Sequence, residues 1–579
     1  MTIPAKRLIR IFLFLFSAAA TVKILFAGYD IDEQYAVSMS YRLLQGDRLL
    51  WDMWEPHQTS GFLCALLMAP YLAVTGSSFG VILYLRCLGL IIHITICLLL
   101  HRQLCRRMDR DYAFLVCVLF FFSLPKLMFL PEFSNMQIWF LTLTLLCLLP
   151  CCDPFWENST GHVLRLILGG IFLSLEILSY PSALLVFPVL LIFILCYGRP
   201  HRAKRDAALF GVVCLLCGGL FLCMLLSYLH LEELLSLLSV VASDGSHSAT
   251  AAEKLQSNLG SLAEICGFFV LYFVAAALFA PLLQKIPGLR KYTSCVSPSF
   301  IRCFLLFFFT LLGQLLIWLF ADRYPNYPSA EYFFLAGILL YLRAKNRKRP
   351  DPFFFLMVLV PLTAFVGIVL FTNHPLMVSA PFLGLAGAGG LSWLGTDRGK
   401  NAFPRDAASP TALKTKKCLL YPLLTLGAVV MLFGRCYLLR TTGGQHYTLF
   451  QQISLIRGGC AAGIFADSET VRRYNACLLL VNENLPEDAR VFYAGISSDI
   501  YLMKNMEFCT PSTISSPTFD DKIADYFAMH PEKEPEYVIC DRNLSSLDSG
   551  SWLADYLSSI CNPIPIAEND YLVIYSVPE

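Results

Sequence analysis

Runs of apolar residues alternate along the chain with short polar connections, and most runs have the length of a membrane span, about 20 residues of helix. The first run, 11–26, follows Lys6, Arg7 and Arg10. It continues past Ala18, Ala19 and Ala20 through Val22, Ile24, Leu25 and Phe26, which predicts an uncleaved first span rather than a removed leader. Further runs occupy roughly 80–100, 112–130, 133–151, 164–180, 182–197, 207–228, 263–283, 300–320, 331–342, 353–371, 376–394 and 418–438. One run is ambiguous. Residues 61–74 are apolar but few, and they stop at Thr75, Gly76, Ser77 and Ser78. That length suits an interfacial or re-entrant segment as well as a crossing, and the choice inverts the side of every later connection.

The distribution of basic residues decides it. If 61–74 does not cross, the inner connections carry Arg102, Arg106, Arg107 and Arg110, then Arg199, Arg202, Lys204 and Arg205, and three further clusters near 285–291, 343–349 and 398–417. The outer connections then hold only Arg42, Arg48, Lys126, Lys254 and Arg323. If 61–74 crosses, every basic cluster lies outside. The chain is therefore read as a polytopic α-helical membrane protein with about 13 crossings and a cytoplasmic N-terminus. The loop 28–79, the turn at Glu132, the loop 229–262, the turns near 322–328 and 372–375, and the C-terminal tail all face outward.

From about residue 441 the pattern changes. Residues 468–484 read as a helix with Val471, Ala476, Leu478, Leu479 and Val481 on its apolar side. Residues 490–494, 537–540 and 571–577 read as short strands bounded by Pro, Gly, Asn and Asp. The predicted organisation is a membrane domain, 1–440, and an extracytoplasmic α/β domain, 441–579, long enough to bury a core of its own.

Composition agrees: 56% of the 579 residues are apolar and 15% charged, outside the soluble range. The net charge of +2 names no partner, and no nucleic-acid ligand is expected. The 22 cysteines lie mostly within apolar runs, where a thiol is a small hydrophobe.

The chemistry concentrates at 28–58, where Asp30, Asp32, Glu33, Asp47, Asp52 and Glu55 crowd a short polar stretch. Asp30 followed by Glu33 predicts a capping box. It would open a helix that runs to about Gln45 and stops at Gly46, laying Ala36, Met39, Ser40 and Leu43 on the membrane surface. This employs Asp30 and Glu33 and leaves Asp32 without a structural use.

The pattern D-E-Q-Y-A, then L-L-Q-G and W-D-M-W-E-P-H-Q-T-S-G, resembles the first outer loop of the GT-C membrane glycosyltransferases. The likeness is to the branch of protein O-mannosyltransferases and aminoarabinose transferases. It is specific over 28–90, fair to about Tyr180 and architectural beyond. It implies that Asp32 is the base taking the acceptor hydroxyl proton, with Glu33 the second acid of the pair. Glu132 matches an acid that the family carries before the fourth span; the same residue also reads as an ordinary helix cap. Many relatives have a lysine near the donor phosphate where this chain has Glu55, Pro56, His57 and Gln58, so the phosphate contact falls to His57 or elsewhere.

The other candidates come from the chemistry such a transfer needs. A carboxylate base must reach the attacking alcohol, and cations or hydrogen-bond donors must meet the leaving phosphate. Arg323, at the end of a span, is the best-placed cation; snorkelling is its plain alternative. His374 sits in a tight outer turn and His247 on a polar loop tip. Tyr35, Trp51 and Trp54 could stack on a sugar or serve only as an interfacial belt. The acids permit a divalent cation, with Glu132 a candidate ligand, but no spacing demands one. The expected partners are a polyprenyl-phosphate-linked sugar, a glycan, lipid or protein acceptor, and membrane lipid. The expected activity is an inverting glycosyl transfer at the outer face of the plasma membrane. A polysaccharide polymerase or ligase of the same architecture is the near rival. A transporter or flippase is the distant one; most spans lack acids, with Glu176 and Gln314 the nearest exceptions.

Overall fold

The computed structural model describes residues 3–578 apart from 125–127, 153–160, 243–250, 288–297, 321–351, 373–375, 377–382, 396–420, 423, 431–439, 443–444, 448, 515–519, 543–551 and 561–563. Its helices in chain order include α1 (Ile3–Phe26), α2 (Ile31–Leu44), α3 (Gln58–Thr75), α4 (Val81–Leu104), α5 (Arg110–Phe121), α6 (Phe133–Cys152) and α7 (His162–Ser179). After a short 3-10 turn, Pro181–Leu185, come α8 (Val186–Tyr197), α9 (Ala203–Leu226), α10 (Leu231–Ala242), α11 (Ala251–Lys285), α12 (Pro298–Phe320), α13 (Val360–Phe371) and α14 (Gly384–Gly395). Among the described residues, eight helical segments are long and apolar enough to cross a membrane, and the protein is a multi-pass membrane protein.

Several elements depart from expectation. The run predicted at 112–130 is helical only as α5, to Phe121. The polar loop expected at 229–262 holds α10 and the first turns of α11. The runs expected at 331–342 and across most of 418–438 lie outside the described residues.

α3 is one of the eight segments by length, yet its contacts are those of a helix that does not cross. Before its start, the Trp54 amide donates to Pro511 O at 2.8 Å. Beyond its end, Ser78 Oγ donates to Leu502 O at 2.8 Å and the Gly80 amide to Gly459 O at 3.0 Å. Both ends thus meet one small C-terminal unit, which a bilayer-crossing helix cannot do. The end of α1 joins the same unit, the Gly28 amide donating to Phe465 O at 2.7 Å. This is the arrangement that the basic residues require.

After an antiparallel pair of strands at Arg440–Thr442 and Gln445–Tyr447, the C-terminal unit has two short paired strands, β1 (Ser454–Leu455) and β2 (Phe465–Ala466), followed by α15 (Ser468–Asn484). A five-stranded sheet then runs in the order β4-β3-β5-β7-β6. It comprises β3 (Arg490–Ala494), β4 (Glu507–Phe508), β5 (Tyr537–Asp541), β6 (Ala567–Glu568) and β7 (Leu572–Ser576). β3 is parallel to β4 and β5, while β7 is antiparallel to β5 and β6. Helices α16 (Asp520–Met529) and α17 (Trp552–Ile560) complete it. α15 has the predicted bounds, but its buried stripe is Val471, Tyr474, Cys477 and Val481, and Leu479 is exposed.

The sheet does not keep a separate core on every side. One apolar cluster runs without a break from Val491, Ile539 and Tyr474 to Met68 of α3, Ile82 of α4 and Ala36 and Val37 of α2. α2 is therefore no surface helix. Every residue from Glu33 to Ser40 is buried, because α3 covers one side and the C-terminal unit the other. Met39 meets α3 so closely that a Cβ on Gly61 would stand 3.1 Å from its own Cβ. Ser38 Oγ donates to Ser498 O at 2.8 Å and Gln45 Nε2 to Met506 O at 2.9 Å.

The opposite end of the bundle is the basic one. Asp111, at the start of α5, holds Lys6 at 3.7 Å and Arg10 at 3.0 Å. Asp206 of α9 holds His162 of α7 at 2.8 Å.

Candidate active site

Several connections converge where the bundle meets the C-terminal unit. The start of α2 stands beside the end of α1 and the start of α4. The start of α3 meets the start of α6 and the end of α7. Thr59 Oγ1 donates to Leu178 O at 2.6 Å, and the His57 ring stacks on Phe133 with centroids 3.9 Å apart. Tyr180 closes this group, its ring 5.4 Å from His57 and 5.7 Å from Phe133. α10 reaches the same end: Leu234 and Leu237 pack on Leu49, Leu50 and Trp54.

The acids of the first loop divide by what they hold. Asp30 caps α2, accepting from the Asp32 amide at 3.0 Å, and Glu33 accepts from the Asp30 amide at 3.3 Å, so the predicted capping box is present. Glu33 has a further part. Arg86 of α4 donates to both its oxygens, Nε to Oε1 at 2.6 Å, and both side chains are fully buried. The same guanidinium donates to Leu25 O at 3.0 Å and Gly28 O at 2.6 Å. One arginine thus ties the end of α1, the start of α2 and α4 together. Asp32, next to Glu33 on the first turn of α2, is only half-buried.

The remaining acids are fixed to the scaffold. Asp47 takes Arg42 and Lys533, the latter at 2.6 Å, and Asp52 takes Arg48 at 3.0 Å. Glu55 is wholly buried and accepts from Ser512 Oγ at 3.2 Å and from the amide and hydroxyl of Thr513 at 3.2 and 2.9 Å. Burial pushes the Glu55 carboxyl up, against the opposing pull of Arg42 and Thr513. Arg42, one of the few expected outer cations, is buried among Asp47, Glu55, Tyr526 and the Asp52 carbonyl. It joins α2 to α16. Trp51 and Trp54 set their edges against His530 and Tyr526 of the C-terminal unit.

The Pro-His-Gln stretch is equally specific. Gln58 spends its side chain on the loop, accepting from the Leu50 amide at 2.6 Å and donating to Glu55 O at 3.0 Å. Tyr35 Oη donates to Pro56 O at 2.9 Å, pinning the turn. His57 is the N-cap of α3 in the left-handed region, φ 64°, and its side chain makes no capping bond. The amides of Ser60 and Gly61 donate to His57 O at 2.9 and 3.2 Å, and the ring is held flat on Phe133.

Glu132 is buried and accepts from the amides of Ser134 and Asn135 at 3.0 and 2.8 Å and from the Ser134 hydroxyl. It caps α6, the plainer of its two predicted readings. Asn135 Nδ2 donates to Met128 O and Leu130 O at 2.8 and 2.9 Å, which fixes the approach to the helix. Arg323, His374 and His247 lie outside the described residues. Among the described residues, no three His, Cys, Asp or Glu side chains gather as a metal site.

Two groups escaped the sequence reading. Arg86 is a lone arginine within an apolar run, a signal in itself. Asp499, in the loop after β3, is buried against α1 and accepts from Tyr29 Oη at 2.7 Å. Burial pushes its carboxyl up to about 6.

No protein-family model and no curated protein matches the chain. Among solved structures, the chain is similar to ArnT from Cupriavidus metallidurans bound to undecaprenyl phosphate, with 12% identity, TM-score 0.49 and 98% of each chain covered. It is also similar to the oligosaccharyltransferase AglB from Archaeoglobus fulgidus in complex with an inhibitory peptide and a dolichol-phosphate. There the identity is 12% and the TM-score 0.44, over 95% of this chain and 71% of that one. Both are GT-C glycosyltransferases, the superfamily that the first-loop residues resemble.

Proposed function

We propose that the protein is an inverting glycosyltransferase that moves a sugar from a polyprenyl-phosphate donor to an acceptor hydroxyl at the outer face of the plasma membrane. The observation that carries this reading is the place of Asp32. It is half-buried on the first turn of α2, which the Asp30 cap and the Glu33–Arg86 pair hold, at the end of the bundle opposite its basic face. By the positive-inside rule the basic end is cytoplasmic, so Asp32 and the C-terminal unit are extracytoplasmic.

In this mechanism Asp32 accepts the proton of the acceptor alcohol, whose oxygen attacks the anomeric carbon. The bond to the lipid phosphate breaks from the opposite side of the sugar, and the phosphate leaves with the added negative charge. His57 and the first amides of α3 meet that charge, a helix N-terminus being suited to phosphate. Glu33 serves through Arg86, by holding the turn that carries Asp32. Tyr35 and Gln58 act by fixing the loop that presents His57. Glu132 sets the start of α6, and Arg323, His374 and His247 remain donor-side candidates.

The test is transfer in membranes from a panel of polyprenyl-phosphate sugars. Wild type should transfer from at least one donor. Asp32→Asn should lower the rate by about 100- to 10,000-fold, the range for a positioned base. Transfer that survives the substitution removes Asp32 as the base, and absence of transfer from every lipid donor removes the function.

A further inference from the structure

One polar pair in the bundle serves no scaffold. Gln137 of α6 is 1% exposed and Glu176 of α7 is fully buried. Among the described residues, neither the Gln137 amide nor either oxygen of Glu176 has a hydrogen-bond partner. Buried polar groups are nearly always bonded, and a buried acid in a membrane helix marks a site unless something neutralises it.

The two residues stand level. α6 and α7 pack antiparallel: Phe133 faces Tyr180, with ring centroids 5.7 Å apart, and Thr144 Oγ1 reaches Gly169 O at 3.5 Å. Each step along one helix is a step back along its neighbour. Four residues past Phe133 and four before Tyr180 lie Gln137 and Glu176, about one turn deeper. Above them sit the rings of His57, Phe133 and Tyr180, with Ile368 packed against the last two. Ser182, in the 3-10 turn after Tyr180, adds a third buried polar group with no partner among the described residues.

We propose that Gln137 and Glu176 form the subsite for the hydroxyl groups of the transferred sugar, beneath the aromatic layer that holds His57. The proposal rests on the lipid-linked-donor reading above and names the part of the donor that this pair takes. A sugar hydroxyl both donates and accepts, and a side-chain amide facing a carboxyl group offers both kinds of partner. The aromatic layer lies between the pair and the start of α3, so a sugar held by the pair has its anomeric end toward His57.

The experiment uses the full chain in lipid nanodiscs. The probes are undecaprenyl phosphate alone and undecaprenyl-phosphate glucose, galactose and mannose. Wild type should bind at least one sugar-lipid more tightly than the bare lipid. Glu176→Met and Gln137→Met keep the side-chain length and remove the polar atoms. Each should weaken binding of that sugar-lipid by about 10- to 100-fold and leave binding of undecaprenyl phosphate unchanged. Melting temperature should hold or rise, since an apolar replacement relieves an unpaired buried group. A lower melting temperature would make the pair structural, and unchanged sugar-lipid binding in both variants would remove the subsite. Equal losses for bare lipid and sugar-lipid would move the pair to the lipid phosphate, against the proposal. A wild type that binds bare lipid but prefers no sugar-lipid overturns this subsite alone. A wild type that binds no lipid at all overturns the function proposed above and the subsite with it.

Discussion

Glu33 and Asp32 are adjacent acids, and their substitutions should fail in different ways. Glu33→Gln keeps the shape and removes the charge facing Arg86. The guanidinium keeps Leu25 O and Gly28 O, at 3.0 and 2.6 Å, but loses its only ion-pair partner among the described residues, in a setting where both side chains are fully buried. Breaking such a pair from one side costs about 3–5 kcal/mol, and weakening the capping box adds about 0.5–1 kcal/mol. A typical protein has a stability of only about 5–15 kcal/mol, so the loss should be plain in thermal and denaturant unfolding in detergent, followed by tryptophan fluorescence. Asp32→Asn should change stability by no more than about 0.5–1 kcal/mol, as expected for a half-exposed position, while abolishing most transfer. The double variant Glu33→Met, Arg86→Met should recover much of the stability lost by Glu33→Gln, because it leaves no charge stranded. Equal stability losses for the two single substitutions, or no recovery in the double variant, would refute the division of roles.

Asp499 gives a pH dependence with a definite sign. Its folded-state carboxyl lies at about 6 against an ordinary 3.8, so its contribution is fully present below about pH 4 and lost as pH rises through about 6. A shift of this size corresponds to about 3 kcal/mol. Unfolding measured from pH 4 to pH 8 should show the decline, and Asp499→Asn should flatten it. Gly89→Ala should cost about 3 kcal/mol or more, because the new Cβ would lie 1.6 Å from Phe129 O and 3.0 Å from the Trp139 ring; the melting temperature reads it directly. Glu55→Gln should weaken the hold on Thr513 by about 1–3 kcal/mol, seen as faster hydrogen exchange at that amide.

What the sequence made legible was what is encoded locally. The capping box at Asp30 and Glu33 needs only residues three apart, and α15, β3, β5 and β7 are declared by their own periodicity and bounding residues. The reading of α3 as a helix that does not cross came from loop charges, which bear on topology without any knowledge of contacts. Burial of α2 was not, since its second cover comes from residues near 498–506, far along the chain. The partners of Glu55 lie 458 residues away, at Thr513. The ring stack of His57 on Phe133 likewise depends on helix packing that no local pattern announces.

The adjacency of Asp32 and Glu33 has a geometric reason. Neighbouring side chains on a helix point about 100° apart, so a turn with one acid fixed inward presents the other along a different direction. Glu33 reaches inward to Arg86, which is itself held by the carbonyls of Leu25 and Gly28. The capping bonds of Asp30 fix the same turn from its start. Asp32 therefore stands on backbone held by three helices, although its own side chain is half-exposed. Such support matters to a base, because a displacement of about 1 Å costs about 100-fold in rate. A lone acid on a solvated loop would lack this rigidity. In the proposed mechanism Glu33 places the turn and Asp32 accepts the proton.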